Sequence, residues 1–108
     1  MKSEYIQFMS YTENTENDTL IISVNGDVDL ENSDNLREQV SKALDANTAV
    51  SLNMSEVSYI DSSGVAALIE SKQKAEEGGK DFKIIKPSES VTSVLQMAKL
   101  DTFFIIEN

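Results

Sequence analysis

Residues 54–70 read Met-Ser-Glu-Val-Ser-Tyr-Ile-Asp-Ser-Ser-Gly-Val-Ala-Ala-Leu-Ile-Glu, and they constrain the fold more than any other stretch. An apolar strand leads in from Val50, a small polar knot Asp61-Ser62-Ser63-Gly64 follows, and an apolar run from Val65 opens a helix. Two hydroxyls therefore sit at a strand-to-helix turn. A helix start presents unpaired backbone N–H groups and about half a positive charge, so a phosphate or carboxylate placed there is stabilised. The knot is thus a candidate switch site, with Asp61 as the natural N-cap.

At 108 residues the chain is expected to form one domain, residues 1–108, large enough to bury a core without staples. It contains no cysteine and no histidine, which removes disulfides, thiolate chemistry, the usual general base and the commonest metal ligand. Nineteen acidic against nine basic residues give a formal charge of −10, which repels phosphate backbones and anionic membrane surfaces alike. No direct nucleic-acid binding is expected. The start Met-Lys-Ser-Glu-Tyr has no apolar leader core, and no window approaches the roughly 20 apolar residues of a membrane span. A cytoplasmic protein that does not insert into membranes is the expectation.

On either side of the knot, strands and helices alternate. Residues 5–12 show a period of two with no fully dry face, as an edge strand does. Residues 13–18 are polar and turn-forming, and residues 19–25 resume the alternation, which predicts an antiparallel hairpin. Asn25-Gly26 reads as the stop of the second strand. Leu36, Val40, Ala43 and Leu44 then recur at helical spacing, predicting a helix over residues 31–46 capped by Asp29, Asn32 or Ser33. Val50, Leu52 and Met54 alternate with Ser51 and Asn53 in a third strand.

The second helix is predicted from Ser62 or Ser63 to about Glu77, with Val65, Leu68, Ile69 and Lys72 along one stripe and Gly78-Gly79 at its end. Phe82 and Ile84 mark a fourth strand, stopped by Pro87. A third helix opens at Ser88-Glu89, with Val91, Val94, Leu95 and Ala98 as its buried stripe. Residues 103–106 make a short fifth strand or a C-terminal packing segment. The fold class is therefore α/β, a mixed and mostly parallel sheet of four to five strands, with about three helices carried to one face by right-handed crossovers.

Few residues remain to carry chemistry. Gly-x-Ser-x-Gly is absent, no histidine exists to activate a serine, and neither glycine-rich nucleotide cradle occurs. Asp27, Asp29 and Asp61 offer the oxygen ligands that hard cations take, but in no spaced loop motif. No enzyme activity, metal or cofactor is expected. On local chemistry alone the knot is also an ordinary helix-capping sequence.

Two blocks resemble the STAS domain family, in its branch of anti-sigma factor antagonists. Gly26-Asp27-Val28-Asp29 followed by Leu36 is similar to the family's Gly-x-Leu-Asp segment, and residues 57–65 resemble the block holding its Asp-Ser-Ser/Thr-Gly motif. The resemblance covers almost the whole chain and implies a single STAS domain. It further implies a domain that, unphosphorylated, binds a partner which is both anti-sigma factor and serine kinase, releasing the sigma factor. Phosphorylation of the motif's second serine switches it off, and a protein phosphatase is the second implied partner. Matched position by position, that serine is Ser63, and Asp29 is the neighbouring aspartate that takes part in partner contact. Asp27, Asp61, Ser62, Gly64 and Ala66 complete the implied contact surface.

The chain departs from the family pattern at Asn32-Ser33, where many antagonists have Thr-Ala, and at Ala66, where a glycine often stands. Other members of the family are cytoplasmic accessory subunits of membrane transporters, including lipid-transporting ABC systems. There the partner is the transporter ATPase and no phosphorylatable serine is needed, which gives the alternative function.

Overall fold

Two alternating segments open the fold, β1 (Ser10–Glu16) and β2 (Thr19–Val28), paired antiparallel with Glu16 opposite Thr19. The computed structural model describes residues 10–108, so the part of the predicted first strand at residues 5–9 lies outside the described residues. Residues 13–16, expected in the turn, belong to β1. Two residues suffice to reverse the chain because Asn17 and Asp18 both take left-handed backbone, with φ of 50° and 66°. That pairing matches the twist of the flanking strands, and Asn and Asp tolerate it better than other side chains. β1 is exposed apart from Tyr11, whose hydroxyl is pushed up to about 12 by burial.

β2 does not stop at Asn25-Gly26. It continues to Val28 beside β3 (Ala49–Ile60), through register shifts at Ser23/Asn25 and Gly26/Asp27. Gly26 has φ +105°, a conformation that favours glycine, so it serves as a bulge residue inside the strand and not as its terminator. Across the two shifts Val24 and Val28 both stay buried, while Asp27 and Asp29 are left half-buried at the strand's end.

β2, β3 and β4 are each followed by a helix, and each new strand lies parallel beside the last. The remaining elements are α1 (Ser33–Ala46), α2 (Ser62–Glu77), β4 (Asp81–Ile85), α3 (Glu89–Met97) and β5 (Ile106–Glu107). The sheet order is β1-β2-β3-β4-β5. Every crossover steps in the same direction, and right-handed crossovers then place all three helices on one face. Between helices and sheet, Ile22, Leu52, Met54 and Ile84 meet Leu36, Val40, Leu68, Val91 and Leu95, all fully buried. Each such side chain contributes about 1.5–3 kcal/mol by leaving water. On the opposite face Ser51 is buried, while Ile21, Ser23, Asn53, Lys83 and Ile85 around it are half-buried.

The middle helix, α2, buries Gly64, Val65, Ala67, Leu68, Ser71 and Ala75, a set rotated away from the predicted stripe. Small residues along this set let its backbone pack closely, against Val28 and Ile60 at Gly64 and beside Arg37 and Ser41 of α1 at Ser71. Ile69 and Lys72 are half-buried on its flank, and the Lys72 ammonium lies 5.0 Å from the centre of the Phe103 ring. α2 ends in a Schellman motif, with Gly79 (φ +66°) donating to Glu76 O and Lys80 N to Ala75 O. α3 starts at its predicted cap, Ser88, whose hydroxyl accepts from Val91 N at 3.2 Å. Ala98, expected in the buried stripe, is instead its exposed C-cap. The final strand shrinks to two residues because Phe104 turns into the core while Phe103 and Ile105 stay exposed.

β3 is twelve residues long but pairs with β4 only over residues 49–53. Its second half projects past β4, paired with β2 alone, and delivers the chain to the polar knot.

Candidate functional site

A single residue, Asp61, separates the end of β3 from the start of α2. Its backbone is extended, and its carboxylate Oδ1 accepts from Ser63 N at 2.9 Å and Gly64 N at 3.1 Å, the N-cap geometry expected from sequence. Its own N–H donates to Val28 O at 3.2 Å, tying the helix start to the end of β2. Gly64 makes that approach possible. A Cβ at this position would lie 2.5 Å from Val28 O and 2.8 Å from Ile60 Cγ1, so no larger residue fits without moving backbone. Gly64 is accordingly buried, and its visible role is packing.

The neighbouring lead-in, from β2 to α1, is built differently. Asp29 Oδ1 accepts from Glu31 N at 3.1 Å and Asn32 N at 3.2 Å, folding residues 29–32 into a turn ahead of the helix. This is why α1 begins at Ser33 and not at residue 31. Asn32 occupies the N-cap position without a side-chain cap bond, since its amide donates to Asp27 O at 2.8 Å instead. The turn is secured from outside. Asp61 Oδ2 accepts from Leu30 N at 3.2 Å, so one carboxylate serves both lead-ins. Leu30 itself is 74% exposed. Sequence reasoning missed it, although a leucine out of phase with Leu36, Val40 and Leu44 in a run of acidic and polar residues was a readable signal.

Ser62 is exposed and Ser63 half-buried. Among the described residues neither hydroxyl has a hydrogen-bond partner. Helical spacing aligns Ser63 with Glu70, two turns on, which faces α1 through a bidentate pair with Arg37 at 3.0 Å on both oxygens. Arg37, the chain's one arginine, also reaches Asp34 at 2.7 Å, and these carboxylates, Glu70 foremost, hold its guanidinium more firmly protonated than usual.

Ser62 and Ala66 point the other way. With Val65, Ile69, Val94 and Met97 they line an apolar groove of about 380 Å³ between α2 and α3. The predicted site residues therefore divide. Asp27, Asp29, Asp61, Ser63 and Gly64 gather around the end of β2, and Ser62 and Ala66 belong to the groove. Ile69, on the predicted stripe of α2, and Val94, on the predicted buried stripe of α3, are partly buried against the core and form its walls. Oxygens of Asp29 and Asp61 already accept backbone N–H groups, and among the described residues no three acidic side chains converge as a metal site would require.

The STAS domain pattern matches residues 11–108, a span that includes both blocks and every predicted site residue. The chain belongs to the STAS domain family. Solved STAS-like structures share its fold. An anti-sigma factor antagonist from Mycobacterium paratuberculosis is 17% identical, with a TM-score of 0.82 over 93% of this chain and 86% of its own. The anti-sigma factor antagonist SpoIIAA in its unphosphorylated form is 22% identical, with a TM-score of 0.74 over 92% and 89%. The phosphorylated form of SpoIIAA, a Bacillus cell-fate determinant, gives 0.68 over 92% of each chain at 22% identity. At these identities the likeness is one of fold. Within this STAS domain no helix among the described residues is long and apolar enough to cross a membrane.

Proposed function

We propose that this STAS domain is an anti-sigma factor antagonist whose unphosphorylated form binds an anti-sigma factor with serine kinase activity and so releases a sigma factor. Phosphorylation of Ser63 ends the interaction, and a protein phosphatase restores it. The observation that carries this reading is the Ser63 hydroxyl, unpartnered among the described residues in the first turn of α2, where backbone N–H groups and the helix dipole favour a phosphate. Solved relatives named as antagonists, one of them in both phosphorylation states, support it. The domain acts as substrate and contact surface, not as catalyst.

A phosphate adds about −1.5 to −2 charges beside Asp27, Asp29 and Asp61. Unit charges 4 Å apart interact by about 4 kcal/mol near a protein surface and about 1 kcal/mol in bulk water. Since about 1.4 kcal/mol is tenfold in affinity, one phosphate converts a tight complex into a weak one without refolding the domain. In a pull-down from the native cytoplasm, Ser63→Ala should retain a serine kinase constitutively and Ser63→Asp should retain less. Recovery of a transporter ATPase in its place would move the chain to the accessory-subunit reading. Phosphorylation of Ser63→Ala by the cognate kinase would remove Ser63 from its role.

A further inference from the structure

Among the described residues, Asp61 is the side chain that hydrogen-bonds to both lead-ins. Oδ1 takes the amides of Ser63 and Gly64, at 2.9 and 3.1 Å, and Oδ2 takes the amide of Leu30 at 3.2 Å. Otherwise the Leu30 tip is held by the Asp29 turn, by the Asn32 amide on Asp27 O and by the Ser33 hydroxyl, which donates to Leu30 O at 3.5 Å. A phosphate carried by Ser63 competes with Oδ1 for the Ser63 and Gly64 amides, which Asp61 holds while Ser63 bears a free hydroxyl. Two anions cannot share them without strong repulsion, and the phosphate carries the larger charge. If the carboxylate swings off Ser63 N and Gly64 N, its second oxygen leaves Leu30 N as well.

We infer that Asp61 is a positioning residue that holds Leu30 in a fixed, exposed pose while Ser63 bears a free hydroxyl and releases it when Ser63 bears a phosphate. This deepens the proposed regulation and rests on Ser63 being the modified residue. What is regulated is an apolar tip flanked in sequence by Asp29 and Glu31, 74% exposed and preformed in the unphosphorylated state. Fixing such a tip before contact removes part of the ordering cost of binding.

The test needs no kinase. Phosphoserine is incorporated at position 63 during synthesis of the full chain, and the Leu30 and Gly64 amides are followed by NMR. Leu30 N–H should exchange with solvent about 10-fold faster in the phosphorylated chain, as expected for loss of a hydrogen bond to a charged acceptor, while Gly64 N–H stays protected by the phosphate. Asp61→Asn separates the two oxygens. Its carbonyl still caps α2, since Asn ranks with Asp at this position, but its NH2 cannot accept from Leu30 N. It should reproduce the Leu30 change without phosphate, and adding phosphoserine should then change Leu30 no further. A Leu30 amide indifferent to phosphate, or additive effects of phosphate and Asp61→Asn, would overturn the inference. Because the phosphate is installed synthetically, either result leaves the kinase assay on Ser63 to be judged separately.

Discussion

Two strand-to-helix turns lie side by side at one end of the sheet, and they are stabilised in opposite ways. The β3–α2 turn is one residue long, capped by its own side chain, and seated against β2 through a glycine that nothing larger can replace. The β2–α1 turn spends residues 29–32, lacks a side-chain cap on its helix, and takes an outside bond from Asp61. Local chemistry therefore fixes the turn that carries the hydroxyls, while the turn that carries Leu30 depends on its neighbour. Damage should spread from the first to the second and not in reverse.

Gly64→Ala attacks the fixed turn where it has no slack. A methyl 2.5 Å from the Val28 carbonyl must push α2 off β2, and a loss of about 3 kcal/mol in urea unfolding is expected, with Leu30 disturbed as well. Asp61→Ala removes three charged hydrogen bonds from a half-buried site and should cost about 2 kcal/mol, loosening both turns in amide exchange. Asn32→Ala removes only the bond to Asp27 O. It should cost about 1 kcal/mol and leave the Ser63 and Gly64 amides as protected as before. If those amides were exposed by Asn32→Ala, the one-way dependence would be broken. Leu30→Ala should shift stability by no more than about 0.5 kcal/mol, since the side chain is already in water. If the tip is a contact point, the same change should weaken capture of the kinase about 10-fold by surface plasmon resonance.

The same contrast explains what the sequence made legible. Capping is a local matter, so the Asp61 cap and the end at Gly78-Gly79 are legible directly, and the start of α2 to within one residue, Ser62 or Ser63. Gly26 could not, because a bulge is defined by the partner strand, and the glycine that looked like a stop sits inside β2. Helical period places Val65, Leu68, Ile69 and Lys72 along one stripe of α2 but does not tell which flank its neighbours leave open, and Ile69 and Lys72 lie half-buried on that flank. Leu30 is visible in the sequence as a leucine out of phase with the α1 stripe, but the acceptor of its amide is not, since it lies 31 residues away. It is the resemblance to the family that singles out Ser63 from Ser62 as the hydroxyl proposed to carry the phosphate. The division of the site into a β2-end cluster and an α2–α3 groove required coordinates.

The central claim is that the state of one hydroxyl, Ser63, decides whether this domain holds its partner. The most direct measurement is intact-mass analysis with site mapping of the chain after incubation with ATP and the serine kinase that co-purifies with it, compared with Ser62→Ala and Ser63→Ala. One phosphate on Ser63, retained in Ser62→Ala and absent from Ser63→Ala, with the kinase released as it accumulates, is the predicted result. A phosphate placed on Ser62, or a complex that survives full phosphorylation of Ser63, would contradict it.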